Sequence, residues 1–593
     1  MAVDPRTEPH GDLSSAIATA AAIAETFQHA GGQPGIAYGI VANGGLIHSD
    51  GIGERWLGGP APDADTVFRI ASMTKSFTAS AVLMVRDRGA LRLDDAVEAY
   101  VPELAGLKGP TTDSPALTIR HLLTMAGGLP TDDPWGDRQQ SLPLPAFSEL
   151  LRGGLSFAWA PGTRFEYSNL GYAILGRVVA AAAGAPYRDF VTGRLLEPLG
   201  LGRTVFDPAG LPETEVARGY RRTDEHWSEV PFDAYGAFAP MGGLFSTVRD
   251  LARWVAGMID AFPPRDDNDD AHPLRRSSRR ELQHPHHGIP LLPDTWPFED
   301  LSKLTSRGYG YGLFVEDDTR HGRVVFHSGG YPGFGSHMRW HPQRGIGVVV
   351  LGNSTYAAAR TVATGMLDAL LDADSGSAVR DPAPHGRAAW AATLEARTGV
   401  DRLLTGWDDT IAARWFSDNV DLDEPISRRR ARIERIREQI GELRPETGRE
   451  PVHDSPAHCA WWLRGPNGRV RAEIRLTPEK PPRIQTLDLT TAMRPDARVR
   501  AIVDEVIAAL NDESPAFPSS IATAPSIDRG KLTRLMRLAA AWAGGCQHAE
   551  VHGGGGVTTT TIKITGSSGD LMVTLKTDQD NAVVQKFSVD MAL

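Results

Sequence analysis

At 593 residues the chain is too long to form one hydrophobic core, so we expect two to four domains. With 41% hydrophobic and 23% charged residues, it has the composition of a soluble globular protein. The net charge of −11 argues against a nucleic-acid partner, because binding to phosphates would require an excess of positive charge. Two cysteines in the whole chain, Cys459 and Cys546, exclude a disulfide framework and a cysteine metal site.

The N-terminal region carries no pattern for export or membrane insertion. No basic segment precedes an apolar core in the first fifteen residues, and residues 14–27, SSAIATAAAIAETF, predict an amphipathic helix instead. No apolar run approaches the ~18 residues that a membrane-spanning helix needs. We therefore expect a cytoplasmic protein without a membrane partner.

Residues 34–53 predict a β-hairpin, because two short apolar strands flank an Asn-Gly-Gly turn. A helix is expected from Ser72 to about Arg88, and helices and loops are expected across residues 90–260. Four consecutive strands then follow, predicted at 309–317, 322–330, 335–342 and 345–353. An early strand pair, a helical middle and late strands indicate an α+β fold, an antiparallel sheet flanked by helices.

The segment DADSGSAVRDPAPHG is rich in proline and small residues, so we predict a linker at residues 373–386. It separates a domain at 1–372 from a C-terminal tail. Each half of the tail, 387–492 and 493–593, predicts two helices followed by three strands with tight turns. We interpret the tail as a duplicated α+β module, and two unrelated small domains are the alternative.

The arginine-rich segment 427–438 is the one stretch that suggests an acidic partner. Isoleucines recur beside it at helical spacing, so the arginines are interpreted as the solvated face of an amphipathic helix. In residues 468–476 apolar and charged side chains alternate strictly, which predicts a half-exposed strand.

Residues 69–77, RIASMTKSF, place Ser72 and Lys75 one helical turn apart. A serine hydroxyl is a weak nucleophile until a base removes its proton, and a buried lysine with a lowered pKa can be that base. The S-x-x-K spacing also occurs by chance, and Ser72 as a helix N-cap would explain it.

A second candidate motif is Tyr167-Ser168-Asn169, just before an apolar helix. A phenol beside a lysine ammonium is more easily ionised, so Tyr167 can carry protons to and from the reacting groups. Asn169 can offer an amide to a substrate. Helix capping by Ser168 or Asn169 is the alternative.

The third candidate motif lies in FHSGGYPGFGS, residues 326–336, on a strand that we expect at the sheet edge. His327, Gly329 and Gly330 allow close approach of a substrate, because glycine has no Cβ. The N–H groups of Gly330 and Ser72 can form an oxyanion hole. A glycine-rich hairpin without a catalytic role is the alternative.

The three motifs in this order, over roughly residues 15–370, resemble the penicillin-recognising serine hydrolases. This family includes class C β-lactamases, D-alanyl-D-alanine carboxypeptidases, D-aminopeptidases and related esterases. The resemblance implies that Ser72 is acylated, Lys75 accepts its proton and Tyr167 acts as general base or acid. It also implies a β-lactamase-like catalytic domain and substrate contacts at Asn169, His327 and Gly329.

The third motif departs from the family pattern, since H-S-G stands where β-lactamases and carboxypeptidases have K-T-G. Histidine is mostly neutral near pH 7 and anchors a substrate carboxylate less well than lysine. The family's members with H-x-G include D-aminopeptidases and esterases, so the resemblance implies an acyl hydrolase for D-amino-acid amides, peptides or esters, with poor turnover of antibiotics.

The expected enzyme uses a small-molecule or short-peptide acyl substrate and no cofactor. A transacylase that uses the same acyl-enzyme is an alternative, as is a binding or sensing protein on a retired catalytic scaffold. No metal site is expected, because the histidines of 284–288 and the acids of 265–272 lack ligand spacing. The sequence leaves the oligomeric state open.

Overall fold

A computed structural model of the chain describes residues 13–30, 33–223, 226–269, 272–290, 305–318, 320–374, 389–567, 569–578 and 583–591. The chain divides into two compact units, residues 1–380 and 381–593. The predicted linker at 373–386 lies almost entirely outside the described residues, and its first two residues still belong to a helix.

The first unit contains the predicted mixture of helices and strands. Its α-helices are α1 Ser14–His29, α2 Thr74–Asp87, α3 Ile119–Leu123, α4 Asp133–Asp137, α5 Leu144–Arg152, α6 Asn169–Ala183, α7 Tyr187–Val191, α8 Ala239–Gly242, α9 Val248–Ile259, α10 Arg276–Leu282 and α11 Ala359–Asp374. Its strands are β1 Gly35–Ala42, β2 Gly45–Gly53, β3 Phe68–Arg69, β4 Gly219–Thr223, β5 His226–Val230, β6 Phe245–Ser246, β7 His287–Gly288, β8 Thr305–Tyr309, β9 Phe314–Asp318, β10 Gly322–Tyr331, β11 Phe334–His341 and β12 Ile346–Gly352.

One antiparallel sheet organises this unit, with strand order β2-β1-β12-β11-β10-β9-β8-β7. The early hairpin β1–β2 therefore lies beside β12, the last strand of the unit. The sheet confirms the predicted α+β fold. The predicted strand at 309–317 is two strands, because the chain turns between β8 and β9 at Gly312. Gly312 has φ +69°, and a Cβ there would come within 2.5 Å of the Lys75 carbonyl oxygen.

Helices cover both faces of the sheet. On one face α1 and α11 pack against the strands through alanines of α1 and leucines of α11. On the other face lies the larger core, which includes α2, α6 and α9. All residues of β1, β11 and β12 are buried, as expected for strands between two helical layers.

The tail unit contains two helical segments, each followed by a sheet. Its elements are α12 Ala391–Thr405, α13 Asp409–Trp415, α14 Asp418–Asp423, α15 Ile426–Ile440, β13 Arg444–Pro445, β14 His458–Gly465, β15 Gly468–Leu476, β16 Ile484–Met493, α16 Ala497–Leu510, α17 Arg529–Ala543, β17 His548–Gly553, β18 Thr559–Thr565, β19 Asp570–Thr577 and β20 Val584–Met591. The sheets are four-stranded antiparallel meanders, β13-β14-β15-β16 and β17-β18-β19-β20.

Each half of the tail has its own hydrophobic core, and Cys459 belongs to the first. The sequence prediction missed the first strand of each sheet, β13 and β17. It also gave the first half two helices, whereas the described residues of that half contain four, α12 to α15. Both halves share the order of helices followed by a meander, and their origin by duplication stays a prediction.

The amphipathic patterns of the tail are borne out. In β15 the four apolar residues of 470–476 are buried and the charged ones between them are not. In α15 three isoleucines are buried beneath the arginines, as predicted for a solvated basic face. Arg429 is the exception, because it is buried and donates to the Leu487 carbonyl at 2.8 Å. Within the part of the chain that the structure describes, no helix has the length and apolarity to cross a bilayer.

Candidate active site

Ser72 lies at the point where β3 leads into the central helix α2. The chain forms a 3₁₀ turn, Ala71–Met73, before α2 begins at Thr74, and Ala71 has φ +47°. This left-handed conformation is unfavourable for a residue with a Cβ, and such strain is concentrated at functional sites. Neither the 3₁₀ turn nor α2 has a side-chain cap, so the alternative role of Ser72 as an N-cap is not observed.

Lys75 lies in the first turn of α2, and its side chain is fully buried. Its Nζ lies 2.9 Å from Ser72 Oγ, 2.7 Å from Asn169 Oδ1 and 2.8 Å from the Met241 carbonyl oxygen. These are the three hydrogen-bond acceptors that an ammonium group can satisfy. The structure thus brings the first two sequence motifs together around one nitrogen.

Burial lowers the pKa of Lys75 to about 8, although the carboxylates of Asp133, Asp137 and Asp132 act in the opposite direction. The charged form of Lys75 loses its hydration inside the protein, and the three carboxylates offset this loss only in part. A pKa of about 8 leaves a useful fraction of neutral lysine at physiological pH. The group can therefore act as a base.

Tyr167 lies against Lys75 on the cavity side. Lys75 Nζ is 4.9 Å from the centre of its ring, and the ring stacks on Phe314 at a centroid distance of 6.4 Å. The pKa of Tyr167 is raised well above 10 by burial and by Asp133, although a hydrogen bond with Ser72 opposes the shift. From the sequence we expected Lys75 to make this phenol more acidic. Burial outweighs that effect, so Tyr167 is protonated at neutral pH and suited to donate a proton.

Asn169 begins α6 with its side chain fully buried. Its Oδ1 accepts from Lys75, and its Nδ2 donates to Asp133 Oδ1 at 2.8 Å. Both ends of the amide are therefore occupied by protein groups. In this arrangement Asn169 positions Lys75, and a direct substrate contact would first require release of one partner.

Helix α6 receives two caps. Ser168 is the N-cap residue, and its Oγ accepts from Gly171 N at 3.2 Å, as the capping alternative proposed. Asp132 adds a carboxylate from another segment, which accepts from Asn169 N at 2.6 Å and from Leu170 N at 2.9 Å. The motif Tyr167-Ser168-Asn169 therefore both caps helix α6 and contributes side chains to the candidate site.

The third motif lies on β10, which is an interior strand between β9 and β11 and not the edge strand expected. Its second half is nevertheless open on one side, because β9 pairs with β10 only as far as Phe326. The pairing register explains why the prediction was wrong. A strand can pair with neighbours on both sides over one half of its length and with a single neighbour over the other half. Residues from His327 onward pair with β11 alone among the described strands.

Glycine is required in this open half of β10. A Cβ at Gly329 would lie 2.1 Å from the Ile70 carbonyl oxygen, which belongs to the segment that carries Ser72. The hydroxyl of Ser336 donates to the same carbonyl at 2.8 Å. The close approach lets Gly330 and Ser72 line one cavity, as the predicted oxyanion hole requires.

His327 is buried beside the aromatic rings of Tyr309, Phe314 and Tyr167. Its Nδ1 lies 2.5 Å from the Ser328 carbonyl oxygen, which can only accept, so Nδ1 carries the proton. Its Nε2 is left to accept from Tyr309 Oη at 3.2 Å. Burial, followed by the charge of Lys75, lowers the pKa of His327 to about 3. The ring is neutral at physiological pH and supplies no cation.

The candidate motifs line one cavity of about 350 Å³. Four charged residues of its wall were not expected from the sequence, namely Asp133, Asp137, Arg307 and Arg360. Burial raises the pKa of Asp137 to about 6, and its Oδ2 accepts from Tyr356 Oη at 2.7 Å. The adjacent aspartates of the TDDP segment, residues 131–134, can be seen in the sequence, but no rule of sequence spacing predicts that they lie near Ser72.

The two arginines of the wall share one partner. Arg307 and Arg360 both pair with Glu316, at 2.7 and 3.3 Å, and Arg339 approaches the other Glu316 oxygen at 3.0 Å. The cavity therefore has carboxylates on one side and an excess of guanidinium groups on another. Across the described residues no cluster of three or more histidine, cysteine or acidic residues could hold a metal ion.

Comparison with known proteins places the chain in a family. The Beta-lactamase family profile matches residues 20–373. Protein flp of Staphylococcus aureus (strain COL) is 26% identical over 325 residues, which cover 54% of this chain and 59% of flp. The D-alanyl-D-alanine-carboxypeptidase/endopeptidase AmpH of Escherichia coli (strain K12) is 27% identical over 294 residues, 49% of this chain and 71% of AmpH. The match thus spans about three fifths of the length of flp.

A solved structure extends the likeness in fold to the tail. The octameric penicillin-binding protein homologue from Pyrococcus abyssi aligns with a TM-score of 0.51 and 18% identity, covering 98% of this chain and 100% of that chain. At this identity the alignment supports the fold alone. On the family match, which covers more than half of the chain, the chain belongs to the Beta-lactamase family.

Proposed function

We propose that the chain hydrolyses amides or short peptides of the D-amino-acid type, or related esters, through an acyl-enzyme on Ser72. No cofactor enters the proposed reaction. The observation that carries the proposal is the set of three contacts around Lys75 Nζ.

These contacts suit a neutral lysine as well as a charged one. A neutral amine has two hydrogens and one lone pair. The hydrogens can remain on Asn169 Oδ1 and the Met241 carbonyl, which can only accept, while the lone pair faces Ser72 Oγ. The Ser72 hydroxyl then donates to Lys75, which is the geometry of a nucleophile and its general base.

In the first step the Ser72 proton passes to neutral Lys75 as Oγ bonds to the substrate carbonyl carbon. The N–H groups of Ser72 and Gly330 stabilise the oxyanion that forms. When the bond to the leaving group breaks, the leaving amine takes a proton from Tyr167 or Lys75. Water then attacks the acyl-enzyme by the same steps in reverse and releases the acid and Ser72.

The cavity charges support a substrate with a free amino group. Asp133 and Asp137 lie in the wall beside Ser72, where their carboxylates can accept from an ammonium. His327 is neutral and cannot replace the lysine that binds carboxylates in K-T-G enzymes. The name of AmpH, a carboxypeptidase and endopeptidase for D-alanyl-D-alanine, supports the D configuration.

The test is covalent labelling with a fluorophosphonate, followed by intact-mass and peptide analysis. We expect one adduct on Ser72 and none in Ser72→Ala. Ser80→Ala is the matched control, because Ser80 lies on the same helix with its hydroxyl bonded to the Ser76 carbonyl. An adduct on another serine, or retained turnover in Ser72→Ala, would contradict the mechanism.

Substrate choice is tested on a panel of D- and L-amino-acid anilides, p-nitrophenyl esters and a chromogenic cephalosporin. We expect the highest kcat/KM for a D-aminoacyl substrate and poor cephalosporin turnover. His327→Lys should shift the preference toward substrates with a free carboxylate. Tenfold or greater preference of the parent enzyme for such substrates, about 1.4 kcal/mol, would contradict the assignment.

A further inference from the structure

The outward face of the first tail sheet carries three arginines in a row. Arg444 on β13 is directly opposite Arg464 on β14, and Arg464 is directly opposite Arg469 on β15. Residues directly opposite on antiparallel strands place their side chains on the same face, and like charges in such pairs are destabilising. The row therefore costs free energy unless negative charge compensates for it.

Protein groups compensate for only part of this charge. Arg444 pairs with Glu442 at 3.1 Å, and Arg469 pairs with Glu550 at 3.2 Å and Glu446 at 3.6 Å. The middle member, Arg464, makes no ion pair or hydrogen bond through its guanidinium with any residue that the structure describes.

A second uncompensated guanidinium lies close by. Arg494, just after β16, also has no side-chain partner within the described ranges. Arg464, Arg469 and Arg494 line one cavity of about 170 Å³, with Gly465 and Gly468 of the β14–β15 turn. Two of the three arginines that line the cavity, Arg464 and Arg494, are exposed and have no carboxylate partner among the described residues.

The cavity is also partly preorganised. The Arg469 guanidinium lies 4.7 Å from the centre of the Trp462 ring, and its Nη2 donates to the Val551 carbonyl at 2.5 Å. These contacts, with the pairs to Glu550 and Glu446, hold the Arg469 guanidinium in place before any ligand arrives, which lowers the entropy lost on binding. The volume equals roughly five or six water molecules, enough for one small anion.

We propose that this cavity is a binding site for a small oxyanion, a phosphate or carboxylate group, held by Arg464, Arg469 and Arg494. Guanidinium groups bind both kinds of oxyanion through paired hydrogen bonds. The site lies where the two halves of the tail meet, since Ala492, two residues before Arg494, bridges to Gly554, which directly follows β17 of the second sheet. A bound anion would therefore stabilise this junction, independently of the chemistry at Ser72.

The test uses the full chain and compares chloride, inorganic phosphate, sulfate and acetate at one ionic strength. Isothermal titration should show saturable binding of one anion per chain, and the thermal unfolding of the tail should shift upward in the same anion. Arg464→Gln and Arg494→Gln should each weaken binding at least about tenfold. Arg435→Gln is the matched control, because Arg435 is an exposed arginine of α15 outside the cavity.

Removal of the central charge gives a second measurement. In chloride, Arg464→Gln should be as stable as the parent chain or more stable, because it relieves the row of like charges. In a solution of the anion that binds, the parent chain should become more stable than Arg464→Gln. If phosphate binds more tightly than acetate, the natural ligand carries a phosphate group; if acetate binds more tightly, it carries a carboxylate group. Equal binding by the parent chain and by a variant that combines Arg464→Gln and Arg494→Gln, or absence of binding of every anion, would overturn the proposal.

Discussion

The two units of the chain differ in where they keep polar groups and backbone strain. In the first unit the side chains of Lys75, Asn169 and His327 are fully or almost fully buried. In the tail, charged residues alternate outward along the strands and most buried positions are apolar. Among the described residues, every non-glycine residue with positive φ belongs to the first unit.

Two of these residues lie at the site itself, Ala71 before the candidate nucleophile and Tyr356 in the cavity wall. Buried polar groups and strained backbone cost stability, so they persist where the surrounding structure imposes them. We infer from this difference that the first unit is locally less stable because it holds the side chains of the candidate site in place. The tail follows the local patterns of helix and strand formation more closely, apart from the buried Arg429 and the row of arginines on its first sheet.

The largest expected effect is at Lys75. Lys75→Met keeps the length of the side chain and removes the base, so kcat should fall about 10⁴-fold, the upper end for a proton-transfer group. Circular dichroism should show an unchanged fold. The control is Lys531→Met in the tail helix α17, which should leave kcat unchanged. Turnover within tenfold of the parent enzyme would contradict the assignment of Lys75 as base.

Tyr167→Phe should lower kcat by about 10² or more, because it removes the proton donor and keeps the stacked ring. Stability should change little, since the ring contact with Phe314 remains. The matched control is Tyr100→Phe, whose hydroxyl bonds to Asp95 away from the cavity. Equal kcat for Tyr167→Phe and the parent enzyme would reduce Tyr167 to a packing residue.

Asp133→Asn should shift the pH dependence of the reaction. The Asp133 carboxylate raises the pKa of Lys75, so its removal should lower that pKa below about 8. Since the base acts in its neutral form, the rise of kcat with pH should move to lower pH, with a gain of up to about tenfold near pH 6. An ester without an amino group is the substrate for this measurement, because it does not use Asp133 as an anchor.

Glu213→Gln serves as control for the pH profile, as Glu213 is not among the charges that shift Lys75. The parent enzyme itself should gain activity as the pH rises through about 8, because Lys75 loses its proton there. A shift of the Asp133→Asn profile to higher pH would contradict the electrostatic role.

The smallest effect is expected from loss of the tail. A chain that ends at Gly376 should still react with the fluorophosphonate at Ser72, at a rate within about threefold of the full chain. The physical reason is that all residues of the candidate cavity belong to the first unit. A shortened chain that folds by circular dichroism but does not label would show that the tail supplies an essential group.

Local sequence patterns predicted most of the architecture. The hairpin β1–β2 followed from its Asn-Gly-Gly turn, where Asn43 and Gly44 adopt φ +51° and +77°. The strands β10, β11 and β12 and the tail helices α15, α16 and α17 were predicted from the sequence, whereas α12 and α13 were predicted as one helical segment and α14 was not predicted. Strands β13 and β17 were missed, because the first has two residues and the second lacks a clear apolar alternation.

The sequence by itself determined which residues approach each other within one motif. Ser72 and Lys75 meet because helical geometry brings residues three apart onto one face. What only the tertiary structure decided is the chemistry of Lys75, since its partners Asn169 and Met241 lie 94 and 166 residues away in the chain. The same holds for the carboxylates of the cavity and for the half-open strand β10. Burial and distant carboxylates set the pKa of Lys75, and the register of β9 leaves one half of β10 without a partner on that side. Neither feature can be predicted from a local pattern of residues.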